Sequence, residues 1–400
     1  MDQTEFMQLP QSFRQSQSTP RFPWLLRHAV VCSVYALALL TASTPVPAAE
    51  QLVRIRNADS EYTGKIVGLS QSQCTLMDRQ GRLVELDITK LKEMERLPER
   101  FRPDSTSTFR AELAREFGRG YKVTGTTHYL VCTPRGQRSK YADLFETIYR
   151  DVEQFYRVRG FRISKPDVPL VAVVFTTQKE FAEYCVKDGV PPSPGLQGYY
   201  SLVSNRVALF DTNGAFRSAK IETMAPNQSV LALSGITGQT ASTIVHETIH
   251  QVGYNIGIHS RLGETPLWMV EGLATVLEPS RMRNRRSNQN SCRRVNPERY
   301  EWFQNKYRPQ RPAGSLARLV ASDRLFQQQT LDAYSEAWAL TFFLLENPAR
   351  RKNLATYLQN ITHRDATKEY PAKARLADFQ SVFGDIARLE VEFLRYIDRM

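Results

Sequence analysis

Apolar and polar residues alternate in four short runs near the start of the chain: Leu52–Arg56, Tyr62–Leu69, Gln73–Met77 and Leu83–Ile88. Turn residues separate the runs at Asn57-Ala-Asp59, Ser70-Gln-Ser72 and Arg79-Gln-Gly81. A period of two punctuated in this way predicts strands. Such a compact set predicts a small SH3-like β-barrel over residues 49–95. A polar linker with Pro98 and Pro103, then a helix ending near Phe117, account for 96–118. Beyond it the periodicity mixes. Tyr121–Cys132 reads as one or two strands, Leu144–Val158 as an amphipathic helix, Val168–Phe175 as an apolar strand and Gln178–Val186 as a helix. Gly198–Ser201 and Arg206–Phe210 read as paired strands around Ser204-Asn205. Leu331–Leu345 is apolar on nearly every side, which predicts a buried helix. The fold class expected is α+β, a small β domain followed by one larger domain over 119–400.

The larger domain contains Thr243-Ile-Val-His246-Glu247-Thr-Ile-His250. Two histidines four apart on a helix share a face, so both imidazoles can reach one metal ion. This is the H-E-x-x-H pattern, in which the glutamate between the ligands serves as general base. The chain has six histidines, and composition alone predicts roughly 0.005 such matches. The bland alternative is an amphipathic helix with two polar surface histidines. A catalytic zinc takes three protein ligands and keeps one open position. Gly253 suits a continuation to a third histidine, but Ile256 stands where that ligand belongs, and His259 comes three residues later, beyond Gly257. Thr265-Pro266-Leu-Trp268-Met-Val-Glu271-Gly272 offers the other source. Thr265 suits an N-cap and Pro266 a first helical position, which carries Glu271 one to two turns into a second helix. Glu271 and His259 are thus both candidates for the third ligand.

His246 to His250 followed by Pro266-x-Trp268-x-x-Glu271-Gly272-Leu273-Ala274 resembles the gluzincin-type zinc peptidases of the peptidase MA-like superfamily. The wider stretch looks closest to an uncharacterised domain family of secreted bacterial proteins. The carrying features are His250-Gln251, Tyr254-Asn255-x-Gly257, His259-x-Arg261 and Glu271-Gly-Leu-Ala-x-x-x-Glu278. The resemblance is concentrated in residues 240–280 and extends more thinly over 120–345. It implies a zincin-like metallopeptidase domain over 119–400, Zn2+ held by His246, His250 and Glu271, and Glu247 as general base. It also implies a Tyr or His that stabilises the oxyanion, for which Tyr334 is the candidate by position. In that fold an edge strand beside the cleft pairs with substrate backbone, and Val207–Phe210 is the candidate strand. Glu278 and Asn255 are candidates for orienting the histidines. The Gly-, Ser- and Asn-rich segment 213–238 reads as a flap or a plain long loop.

Arg21 and Arg27 precede an apolar run from Ala29 to Leu40 and a small-residue stretch ending Ala48-Ala49. This predicts a signal peptide over residues 1–48, with a retained anchor as the alternative. No later apolar run reaches eighteen residues, so no transmembrane segment is expected in the mature chain, which is placed outside the cytoplasm as secreted or periplasmic. Cys74, Cys132, Cys185 and Cys292 remain, which allow three pairings. The net charge is +12. Ten Lys or Arg but only Glu298 and Glu301 lie between Arg281 and Arg311. That stretch reads as a solvated loop or an attractor of anionic polymers. Its aromatics cluster instead of alternating with the arginines, and no nucleic acid is expected as a partner. The functional expectation is a zinc-dependent peptidase acting on peptide or protein. The alternative is a catalytically silent metal-binding module that attaches to cell-surface or anionic polymers, in part through the β domain.

Overall fold

The computed structural model describes residues 51–136, 140–193, 195–211, 238–283 and 294–400. The signal segment, the 213–238 segment except its last residue, and Cys292 lie outside the described residues.

The N-terminal unit is a five-stranded antiparallel sheet in the order β4-β3-β2-β1-β5. Its strands are β1 (Gln51–Arg56), β2 (Glu61–Leu69), β3 (Gln73–Met77), β4 (Leu83–Asp87) and β5 (Glu93–Arg100). Alternation puts Val53, Ile55, Cys74, Leu76 and Leu86 on one face, where they form a small core. Four of these strands fall where alternation predicts them. The fifth does not, because Glu-Met-Glu-Arg-Leu-Pro-Glu-Arg has no buried face. It joins through backbone pairing to β1, so the sheet takes in the first half of the expected linker. No pairing joins β4 to β5 among the described residues. The sheet is therefore open there, where an SH3-like closure was expected.

The larger unit is α+β. Its mixed sheet runs β6-β7-β8-β10-β9, from β6 (Tyr121–Gly125), β7 (Tyr129–Pro134), β8 (Leu170–Phe175), β9 (Gly198–Tyr200) and β10 (Arg206–Phe210). β8 is parallel to both neighbours and wholly buried, hence the unbroken apolar run Leu-Val-Ala-Val-Val-Phe. One face is covered by α1 (Thr106–Phe117) and α3 (Gln178–Lys187). The other is covered by α2 (Lys140–Val158) and α4 (Gly238–Asn255). Val207–Phe210 belongs to β10, an interior strand paired on both sides. The expectation that it pairs with substrate is therefore corrected: the strand at that edge is β9. Cys74, Cys132 and Cys185 are buried free thiols. No described helix is long and apolar enough to cross a membrane.

The helical remainder includes α5 (Leu267–Leu277), α6 (Pro297–Trp302), α7 (Ser315–Ala321), α8 (Arg324–Gln328), α9 (Thr330–Glu346), α10 (Pro348–Thr362), α11 (Ala372–Phe383) and α12 (Ile386–Ile397), with a single short turn at Ser280–Arg283. Every residue of α5 is buried. It lies so close to α9 that a Cβ on Gly272 would stand 2.7 Å from the Ala337 carbonyl oxygen and closer still to the Thr341 hydroxyl. A glycine-to-alanine change in a free helix gains up to about 1 kcal/mol. Here overpacking reverses the sign, and Gly272→Ala is expected to cost about 1–3 kcal/mol. A urea unfolding midpoint at or above that of the wild type would contradict the packing.

Glu116 joins α1 to the sheet. Its carboxylate takes two bonds from Arg206, at 2.9 Å each, and one from Lys187 at 3.1 Å. Burial raises its pKa, but Arg206, Lys187 and Arg82 outweigh burial and hold it at about 2. A lowered folded-state pKa contributes stability above the ordinary carboxylate value and loses it as pH falls through the folded one. The wild type should therefore lose up to about 3 kcal/mol between pH 4.5 and 2 that Glu116→Gln does not lose. Unfolding midpoints that fall in parallel for both proteins would refute this.

Candidate metal centre

The helix α4 carries His246, Glu247 and His250 and ends at Asn255, two residues before Gly257, whose φ is +83°. The helix α5 then brings in Glu271, 1 % exposed, against the two imidazoles. The Nε2 atoms of His246 and His250 are 2.9 Å apart. Glu271 Oε2 lies 3.3 Å from the first and 3.6 Å from the second. That oxygen is buried with no hydrogen-bond donor aligned on it, although two nitrogens flank it. A buried carboxylate oxygen is rarely left so unless something else satisfies it. These three are the group among the described residues that could hold a metal ion.

The triangle fits such an ion. A circle through the three atoms has a radius of about 1.9 Å, slightly below the 2.0–2.2 Å bonds that zinc forms to imidazole and carboxylate. A point at bonding distance from all three would lie off their plane.

The surrounding groups orient the ligands. Glu278 Oε1 lies 2.8 Å from His246 Nδ1, and Asn296 Nδ2 donates to Glu278 Oε2 at 2.7 Å. A carboxylate on the far nitrogen fixes the ring and turns Nε2 toward the metal position. Glu278 is thus where the sequence put it. Asn255 is not. Five residues after His250, it points to another face of α4 and binds Asn205 and the Gln251 carbonyl. His259 is also excluded from the ligand group. Its ring packs 5.1 Å from that of Tyr254, and burial, with His250 nearby, pushes its pKa down to about 3.

Glu247 is 5 % exposed and does not join the three ligands. One of its oxygens accepts 2.8 Å from the backbone N–H of Tyr200, in β9. Burial raises its pKa, against the pull of His246 and His250. Burial also disfavours charge on Glu271, but His250 and His246 outweigh it and hold that carboxyl below its usual range. Tyr334, on α9, has its ring 6.4 Å from that of His246. Its hydroxyl is in hydrogen-bonding reach of Glu271, and burial and that carboxylate raise its pKa well above the usual value. The Arg299 guanidinium lies 5.0 Å over the Tyr334 ring.

Asn296, Arg299 and the Tyr200 amide were not foreseen. Asn296-Pro297 is legible as a helix start, and Asn296 caps α6, but nothing local announces that its other side-chain atoms hold Glu278. Four described arginines of the basic stretch are engaged by the fold. Arg283 donates to the Leu277 and Glu278 carbonyls, and Arg294 pairs with Glu346. Arg308 pairs with Asp398, and buried Arg311 with Glu336 and Glu390.

A family described as a protein of unknown function (DUF1570) matches residues 240–367. The match begins in α4 and ends just beyond α10, so it takes in His246, Glu247, His250, Glu271 and Tyr334. No curated protein matches the chain.

His250→Ala and Glu271→Ala should each abolish stoichiometric metal binding, and Glu278→Ala should weaken it about 10–100-fold. His259→Ala should retain about one ion per chain. Elemental analysis after dialysis checks all four. Retention by Glu271→Ala together with loss by His259→Ala would reverse the assignment of the third ligand.

Proposed function

We propose that this chain is an exported zinc-dependent peptidase of the gluzincin type, with a zincin-like catalytic domain, that hydrolyses peptide bonds. The observation that carries the reading is the separation of roles on one helix. His246 and His250 converge with Glu271, while Glu247, between them in sequence, is turned aside and pinned by Tyr200 N–H. A silent metal-binding module gains nothing from a second buried carboxylate beside Glu271, which costs free energy to desolvate. Perturbed titratable groups clustered in this way are typical of catalytic sites. For that reason the attachment module is the weaker reading.

Two neutral imidazoles and a carboxylate are a zinc donor set, and zinc bound there supplies the positive charge that acidifies a water and polarises a carbonyl. The chain's own groups do the rest. Glu247 removes the proton from the attacking water and delivers it to the leaving amine nitrogen. Its pKa, raised by burial, suits a group that must carry a proton between these steps. The Tyr334 hydroxyl donates to the carbonyl oxygen as that oxygen gains negative charge. Glu278 holds His246 in the tautomer that presents Nε2. Zinc as the metal, the cleaved bond and the extracellular or periplasmic setting all rest on this proposal.

Glu247→Gln keeps the shape of the side chain and its acceptor for Tyr200 N–H, but it cannot carry the proton. This variant should fold, retain about one zinc, and hydrolyse an unfolded protein substrate at least about a hundredfold more slowly than wild type. Zinc-loaded wild type that cleaves nothing in a diverse peptide library would sink the peptidase reading. Undiminished activity in Glu247→Gln would discard this base.

A further inference from the structure

Glu247, Gln251 and Asn255 are spaced by four and therefore share one face of α4. That face meets the β9–β10 hairpin, while His246 and His250, on the adjacent face, meet α5. All three polar residues bond to the hairpin, and Gln251 reaches β8 as well. Gln251 Nε2 donates to the Asn205 carbonyl at 2.9 Å and to the Val171 carbonyl at 3.0 Å. Asn255 and Asn205 exchange side-chain bonds in both directions, at 2.7 and 2.9 Å. The Tyr200 hydroxyl donates to Asn205 Oδ1 at 2.8 Å. Asn205 is 3 % exposed and adopts φ +59°, a conformation that side-chain-bearing residues seldom take.

The hairpin register then aims one amide. Ser201 N–H donates to the Arg206 carbonyl and Phe210 N–H to the Gln197 carbonyl. Odd-numbered residues of β9 thus face β10, and the N–H of Tyr200 faces away from it, toward α4. That N–H is the donor to Glu247. The approach is tight, since a Cβ on Gly198 would come within 2.8 Å of the Thr243 methyl.

We infer that Asn205, clasped by Gln251, Asn255 and the Tyr200 hydroxyl, is a positioning residue that holds Tyr200 N–H on the Glu247 carboxylate. One carboxylate oxygen is thereby anchored, and the other is kept at a fixed angle for the reacting proton. Misplacing a reacting group by about 1 Å can cost roughly a hundredfold in rate. A hairpin anchored through three helix positions removes that freedom. The inference rests on the hydrolase reading for its effect on rate, but the clasp itself can be read without activity.

The test is Asn205→Gly, which retains the backbone conformation and removes the carboxamide. Amide exchange at Tyr200 should accelerate at least about tenfold while the amides of α4 around Val252 keep their protection. Bound zinc should stay near one per chain. With a peptide substrate kcat should fall about tenfold or more and KM should hold within about twofold. Asn205→Asp, which restores an acceptor for the Tyr200 hydroxyl and Asn255, should recover part of kcat. In a Glu247→Gln background Asn205→Gly should leave the residual rate unchanged. Should Asn205→Gly fail to fold, Tyr200→Phe removes only the hydroxyl contact and takes the same readings. Unchanged exchange at Tyr200, an effect on KM in place of kcat, or a full further loss in the Glu247→Gln background overturns the inference. Zinc-loaded wild type without hydrolysis overturns the hydrolase reading, and the Tyr200 exchange then still decides the clasp.

Discussion

The site depends on a carboxylate that water does not reach. Glu271 sits in a helix with no exposed residue, and its free oxygen is turned toward two imidazole nitrogens. Desolvating a carboxylate without compensation costs several kcal/mol. The surrounding structure must therefore supply positive charge at that place, from protonated histidines or from a metal. The close approach of α5 to α9 at Gly272 makes the burial possible, and the Glu278–His246 contact fixes the direction from which the charge comes. The arrangement around the centre, including Tyr334 under Arg299 and Asn296 on Glu278, is built against those two helices.

Much of this was legible because it was local. His246 and His250 are a helical spacing, Glu271 follows a recognisable helix start, and Glu278 lies two turns farther on. The apolar run of β8 and the buried α9 were equally plain, because both faces of each element are covered. The misses share a different cause. β5 has no apolar face, so periodicity could not announce a strand that joins through its backbone. Strand order is a property of the whole sheet, so nothing in Val207–Phe210 distinguishes an interior strand from an edge. The donor to Glu247 is a main-chain N–H, which any residue possesses. Arg294, Arg308 and Arg311 look unpaired in the sequence because their partners lie 25 to 90 residues away.

The helix α4 divides its faces by chemistry. The histidine face is reserved for the third ligand, and the Glu247, Gln251 and Asn255 face for the sheet. The two faces are held by different neighbours, α5 on one side and the β9–β10 hairpin on the other.

The N-terminal sheet reaches the same hairpin from behind. Leu83 N–H donates to the Val203 carbonyl at 2.9 Å, Arg261 binds the Leu202 carbonyl beside it, and the turn at Gly81 stands against Val168 and Asn205. The hairpin is thus docked between two surfaces that are far apart in the chain, one formed before it and one after. The first precedes the hairpin in the chain and the second follows it, so the hairpin that carries the Tyr200 amide is held from both sides of the sequence, and cutting residues 51–100 away would strip one of its two supports.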